Sequence, residues 1–131
     1  MRKVIAVSVV GGLLLLSVAF AQGAGPMEAA TQFLLAWGKG NWEDLAAVAA
    51  ATVTVTVGGK EAVIDVAGKK AEAVLVFPFK GLSAVRVDGA VKAVTVEEIT
   101  VKMGSEQKTG KGTLTIQDQD GKSVITKVSV D

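Results

Sequence analysis

The sequence predicts an α+β domain, with a pair of helices near its N-terminus and a run of antiparallel strands behind them. Three observations carry this expectation. Apolar residues fall at helical spacing between Met27 and Ala50, and at alternating spacing in most segments from Thr52 onward. Before both comes an apolar run, Val4 to Ala21, that carries no charge and stands apart from the rest.

That run follows Met1-Arg2-Lys3 and ends in Ala19-Phe20-Ala21. Early cations, an apolar stretch and an A-x-A ending are the three regions of a secretory signal. Cleavage is expected before Gln22, which makes residues 1–21 a signal peptide, 22–26 a flexible lead and 27–131 the domain. An uncleaved anchor is the competing reading, because about 18 apolar residues is the lower limit for spanning a bilayer. The small-residue ending favours cleavage. No cysteine follows the run, so it is no lipoprotein signal, and no twin arginine precedes it. An exported protein, periplasmic or secreted, is expected, with no membrane association after cleavage. Its lack of disulfides points to a bacterial envelope.

Fourteen cations stand against thirteen carboxylates, and losing Arg2 and Lys3 leaves twelve. A domain of net charge −1 with interspersed signs has no electrostatic reason to bind nucleic acid.

In the domain, Ala30, Phe33, Leu34 and Trp37 make one helical stripe, which Gly38-Lys39-Gly40 ends. Asn41 is placed to cap a second helix running to about Ala50, with Glu43 and Asp44 in its first turn. Val53, Val55 and Val57 alternate with threonines as a half-buried strand, and Ala62 to Val66 returns beside it after Gly58-Gly59. Gly68 to Val76 reads as a third helix stopped by Pro78, with Ala71, Val74 and Leu75 inward. Four strands follow: Leu82–Val87, Val91–Met103, Thr109–Ile116 and Ser123–Val130. Asp88-Gly89, Gly104-Ser105 and Asp120-Gly121 suit the turns between them. In the longest strand, Val94 and Val96 have the opposite parity to Ile99 and Val101. Either Glu97-Glu98 bulges and bends the sheet, or both faces are partly buried.

Phe33-Leu34-Leu35-Ala36-Trp37 followed by Gly40-Asn41-Trp42-Glu43-Asp44-Leu45 resembles the first helix and turn of the NTF2-like (SnoaL-like) superfamily. Gly68-Lys69-Lys70-Ala71-Glu72-Ala73 resembles the entry to that superfamily's third helix. The resemblance covers most of residues 27–130. It implies a cone, with the helices packed on a bent antiparallel sheet and a pocket at the open end. It also implies that a homodimer could form through the exposed sheet face. Isomerases, dehydratases, cyclases and non-catalytic modules share this fold, so the fold alone does not choose a function.

The chain contains no histidine, cysteine or tyrosine. No His-dependent triad, thiol nucleophile or imidazole metal site can therefore be built, and no cofactor is implied. Isomerase-like members of the superfamily combine a carboxylate base with a tyrosine-containing oxyanion hole, and the tyrosine is missing. Asp65 lies in the apolar stretch 62–66, where desolvation would raise its pKa, but alternation turns it outward. Asp44 reads as a helix-cap neighbour. Trp37, Trp42, Phe77 and Phe79 read as core aromatics where helices meet sheet. Arg86, the only arginine after Arg2, lies on the opposite strand face from Val85 and Val87. It either faces water and pairs with a cross-strand carboxylate, or lines the pocket and meets an anion.

The leading expectation is a non-catalytic module that binds a small apolar ligand or an envelope protein partner. Trp37, Trp42, Phe79 and Arg86 are the residues expected at a ligand. The rivals are an isomerase- or dehydratase-type enzyme with Asp65 or Glu61 as base, and a structural adaptor of the envelope.

Overall fold

The computed structural model describes residues 25–119 and 121–131. The expected signal segment and Asp120 lie outside them. Helix α1 (Pro26–Lys39) starts inside the expected lead, because Pro26 suits a first helical turn, where its missing N–H is no loss. Ala29, Ala30, Phe33, Leu34, Ala36 and Trp37 form its buried stripe. Gly40 ends it with φ 71°, a left-handed conformation that glycine adopts without strain. Its N–H donates to the carbonyl of Trp37 and that of Asn41 to the carbonyl of Ala36, closing a Schellman turn.

Asn41 also opens helix α2 (Trp42–Val48): its Oδ1 accepts the N–H of Asp44 at 3.2 Å. One residue thus serves two helices and holds them as a pair. The second helix stops two residues short of its expected end, because Ala49 is already extended.

Seven strands make one sheet in the order β3-β2-β1-β7-β6-β5-β4. They are β1 (Ala49–Val57), β2 (Lys60–Asp65), β3 (Lys70–Ala71), β4 (Val74–Val87), β5 (Ala90–Met103), β6 (Glu106–Gln119) and β7 (Lys122–Val130). Here the expectation of a wholly antiparallel sheet fails. The chain's last strand lies parallel to β1, with Val55 beside Val128, so the sheet is mixed.

The expected third helix is absent too. Lys69 takes a left-handed φ of 59°, which no helix tolerates in its body, and residues 70–71 and 74–87 are strands. Sheet pairing won this segment. The N–H groups of Val66 and Ala67 both donate to the carbonyl of Ala51, and that of Glu72 to the carbonyl of Val63. The Glu72 carboxylate accepts the N–H of Val63 in return. Pro78, expected to stop a helix, instead lies inside β4 after a cis peptide bond.

The parity change in β5 is a bulge. Val96 pairs with Gly112 and Ile99 with Gly110, so Glu97 and Glu98 stand together against Lys111. Val94, Val96, Ile99 and Val101 are consequently all buried. Gly112 fits the space they leave, since a Cβ there would lie 2.8 Å from Ile99 Cγ2. Gly112→Val should therefore lower stability in urea unfolding by about 1–3 kcal/mol, as overpacking does. Adding Ile99→Ala should recover part of that loss; an unchanged midpoint for the single variant would show the contact to be soft.

Candidate functional site

Beneath the helices the space is filled. Phe33, Leu34, Leu45, Val53, Val55, Ile64, Val94, Leu114 and Ile125 have 1% exposure or less. No charged residue is buried among the described residues, and Ser123 is the buried polar one. What remains open lies outside the core, on and beside the helix pair.

Trp37 belongs to the filled space. Its ring meets that of Phe33 at 5.6 Å between centroids, and its Nε1 donates to the carbonyl of Ala73 at 2.9 Å. This bond staples α1 to the segment that enters β4. Trp42 is half-buried, and the two tryptophans come together along a cleft of about 230 Å³ with Lys39, Leu45, Ala71 and Val74. Phe79 is half-buried some distance along β4, 6.1 Å in ring centroids from Phe77. Phe77 is no core residue: 41% exposed, it lies against Gly38, where even a Cβ would collide with its ring.

Arg86 stands apart from all three. It shares the strand face of Leu82 and Ala84, whose partners Val96 and Val94 are buried, so Val85 and Val87 turn to the opposite face. It is nonetheless exposed, near the end of β4. The ion pairs among the described residues are Lys60–Glu106 and Lys80–Glu98, neither of which uses Arg86. The four expected ligand residues thus form one adjacent pair, Trp37 and Trp42, and two separate positions.

Asp65 is committed to a turn, with Oδ1 accepting the N–H of Gly68 at 2.9 Å. Glu61 is exposed on β2.

A larger groove, about 500 Å³, runs along the outer side of the helix pair. Met27, Thr31, Leu35, Ala36, Asn41 and Ala47 line most of it. Ligand pockets span roughly 300–1,000 Å³, so this groove has the needed size and the tryptophan cleft alone does not. Three of its polar side chains are already engaged with the helices, while the charged Glu28 and Lys39 also line it. Thr31 Oγ1 donates to the carbonyl of Met27, Gln32 Nε2 to that of Asp44, and Asn41 Nδ2 to Asp44 Oδ2. What it offers a visitor is the Met27 thioether, the exposed Leu35 and the Ala47 methyl, together with the exposed Glu28 and with Lys39, which also borders the tryptophan cleft. The sequence reading missed this groove. Its one legible sign was Leu35, an apolar residue off the buried stripe.

A third opening, about 430 Å³ between Val57, Lys60, Val101, Met103 and Lys108, is crossed by the Lys60–Glu106 ion pair at 2.8 Å. That bond and the charge of Lys60 hold the Glu106 carboxyl below its ordinary value of 4.5.

No protein-family model matches the chain, and no curated protein matches its sequence. Solved structures do. An NTF2-like protein from Cytophaga hutchinsonii superposes with a TM-score of 0.53 at 12% identity, over 79% of this chain and 91% of that one. A protein of unknown function from Mycobacterium tuberculosis gives 0.52 at 14%, over 80% and 72%. The chain has the NTF2-like fold. At this identity the likeness concerns the backbone only, and within the NTF2-like fold this chain puts a turn and strands where the quoted motifs implied a third helix.

Two outcomes test these assignments. Trp37→Phe takes the donor from Ala73, whose exposure is 0%, and replaces a buried indole with a smaller ring, and should lower stability by about 2–5 kcal/mol in urea unfolding. No loss would mean that the carbonyl finds another partner. Glu106 has a depressed folded pKa, so its contribution is present above the unfolded value near 4.5 and lost as pH falls through the folded one. The contribution is small, because both side chains are about two-thirds exposed. Lys60→Met should move the Glu106 carboxyl upward in an NMR titration, and an unmoved curve would deny the pairing in solution.

Proposed function

We propose that this chain is a non-catalytic NTF2-like module that holds a small, mainly apolar ligand in the groove along its helix pair. One observation carries the reading: Met27, Leu35 and Ala47 give the groove an apolar contact surface. Thr31, Gln32, Asn41 and Asp44 are already bonded within the helix pair, which leaves Glu28 and Lys39 as its other charged groups. A catalytic pocket needs a titratable group in a desolvated setting. The carboxylates that could act as bases, Asp65 and Glu61, serve a turn and an exposed strand position instead. Burying Leu35, now 40% exposed, beneath an apolar ligand would contribute on the order of 1 kcal/mol. The tryptophan cleft adjoins the same Lys39 and would take a ligand that runs past the lip, with Trp42 as its stacking surface.

Export remains part of this proposal and rests on residues 1–21. The space beneath the helices is filled by core side chains, so the module would act by its outer helix surface rather than by an interior chamber. A protein partner is the second reading. It is favoured by the openness of the groove along two helices, a shape that also accepts an amphipathic helix.

Native mass spectra of the protein made with its own N-terminal segment test the reading. The expected species begins at Gln22 and retains an adduct that denaturation removes. Leu35→Glu should abolish the adduct while changing stability by less than about 0.5 kcal/mol, as exposed substitutions do. An adduct of equal abundance in that variant would move the site elsewhere, and a bare protein would favour the partner reading.

A further inference from the structure

The groove along the helix pair is not electrically symmetric. Met27, Thr31, Leu35 and Lys39 follow one another at four-residue intervals, so they form a single ridge down α1. Three charged side chains line the same groove: Glu28 near the start of that ridge, Lys39 at its end, and Asp44 on α2. By their positions in the helix, Glu28 and Lys39 are about 16 Å apart along its axis.

Both carboxylates are already committed. The Oε1 of Glu28 folds back against Gly25, so close that a Cβ there would collide with it. Gly25 is the N-cap of α1 and has no side chain to cap with, so Glu28 answers the positive end of the helix in its place. Asp44 Oδ2 accepts Asn41 Nδ2 at 3.0 Å, and Asn41 Oδ1 accepts the N–H of Asp44, which ties that carboxylate to the start of α2. Lys39 has no such role. At its end of α1 the carbonyls of Ala36 and Trp37 are taken by the N–H groups of Asn41 and Gly40. Neither ion pair among the described residues uses it. An exposed ammonium thus stands at the end of a largely apolar ridge.

We propose that the ligand of this groove is a long-chain carboxylate, lying along α1 with its chain on Met27, Leu35 and Ala47 and its carboxylate at Lys39. The inference rests on the ligand-binding reading above and adds to it the head group and the direction. Charge complementarity selects both. In the reverse direction the carboxylate would stand beside Glu28. A cationic head would be repelled at Lys39, and at the other end it would meet a carboxylate whose field the helix end partly offsets. An uncharged head would gain nothing from Lys39. The separation of the two charged ends is close to the extended length of a dodecyl carboxylate, so such a chain runs past Leu35 to Met27. Its head then lies where the groove joins the tryptophan cleft, on the side of Trp42.

Titrating the purified protein with dodecanoate, dodecanol and dodecylammonium, followed by calorimetry and tryptophan emission, tests the assignment. Dodecanoate should bind at least about threefold more tightly than dodecanol, as an exposed ion pair allows, and added salt should narrow the gap. Lys39→Gln should erase that preference while leaving dodecanol binding unchanged, and Lys39→Arg should keep it. Lys39 is exposed, so neither substitution should disturb the fold. Equal binding of dodecanoate and dodecanol would overturn the head-group assignment and leave the apolar groove standing. So would a preference that survives Lys39→Gln, or tightest binding of dodecylammonium, which would give the head to Glu28. If none of the three binds, the groove reading itself falls and this inference with it.

Discussion

Everything in this molecule hangs on keeping one face of β5 inward over its full length. Val94, Val96, Ile99 and Val101 are all buried, although their sequence parity would send two of the four outward. Exposing two such side chains would cost about 1.5–3 kcal/mol each. The bulge at Glu97-Glu98 costs roughly one ladder hydrogen bond, about 0.5–1.5 kcal/mol net. The bulge wins by a margin comparable to a good part of a small domain's stability. It also explains Gly112 opposite, a position where a side chain would press on Ile99.

The inward face of β5 and its neighbours gives helix α1 somewhere to lie. The helix packs over β4, β5 and β7, and the Trp37 indole binds the carbonyl of Ala73. Once α1 is fixed, Gly40 and Asn41 determine where α2 goes, because the same residues close one helix and open the next. The outer groove is a consequence of that turn. Its floor is the back of two helices whose fronts are committed to the core.

Much of this was readable from periodicity. The stripe on α1, the Asn41 cap, the valine alternation of β1 and the parity change in β5 each have a local cause, and each reappears in the structure. The third helix did not, for a physical reason. Ala71, Val74 and Leu75 satisfy helical spacing, but a short apolar run fits either period, and the carbonyls of Ala51 and Val63 supply the partners that decide it. Those carbonyls lie nine to sixteen residues from the N–H groups they accept and leave no mark on the segment itself. The parallel pairing of β7 with β1 was hidden for the same reason, since parity says which residues share a face and nothing about strand direction. As for the site, composition alone removed imidazole and thiol chemistry. The groove was nearly invisible, because it is made by residues left off the buried stripe, and an outward Leu35 looks like any exposed leucine.

The division of labour on α1 then bears on how binding can be specific. Thr31, Gln32 and Asn41 are tied into the helix backbone and the N-cap, so they cannot turn toward a visitor without loosening the helices. Discrimination by those three would therefore cost fold stability, whereas discrimination by shape, by apolar contact or by the charges of Glu28 and Lys39 would not. Leu35 can make such contacts without disturbing Phe33, two residues before it and on the far side of α1, whereas Met27 and Ala47 already pack in part against the core. On the proposed reading, such a surface would select a ligand by its outline first and by the charges of Glu28 and Lys39 second.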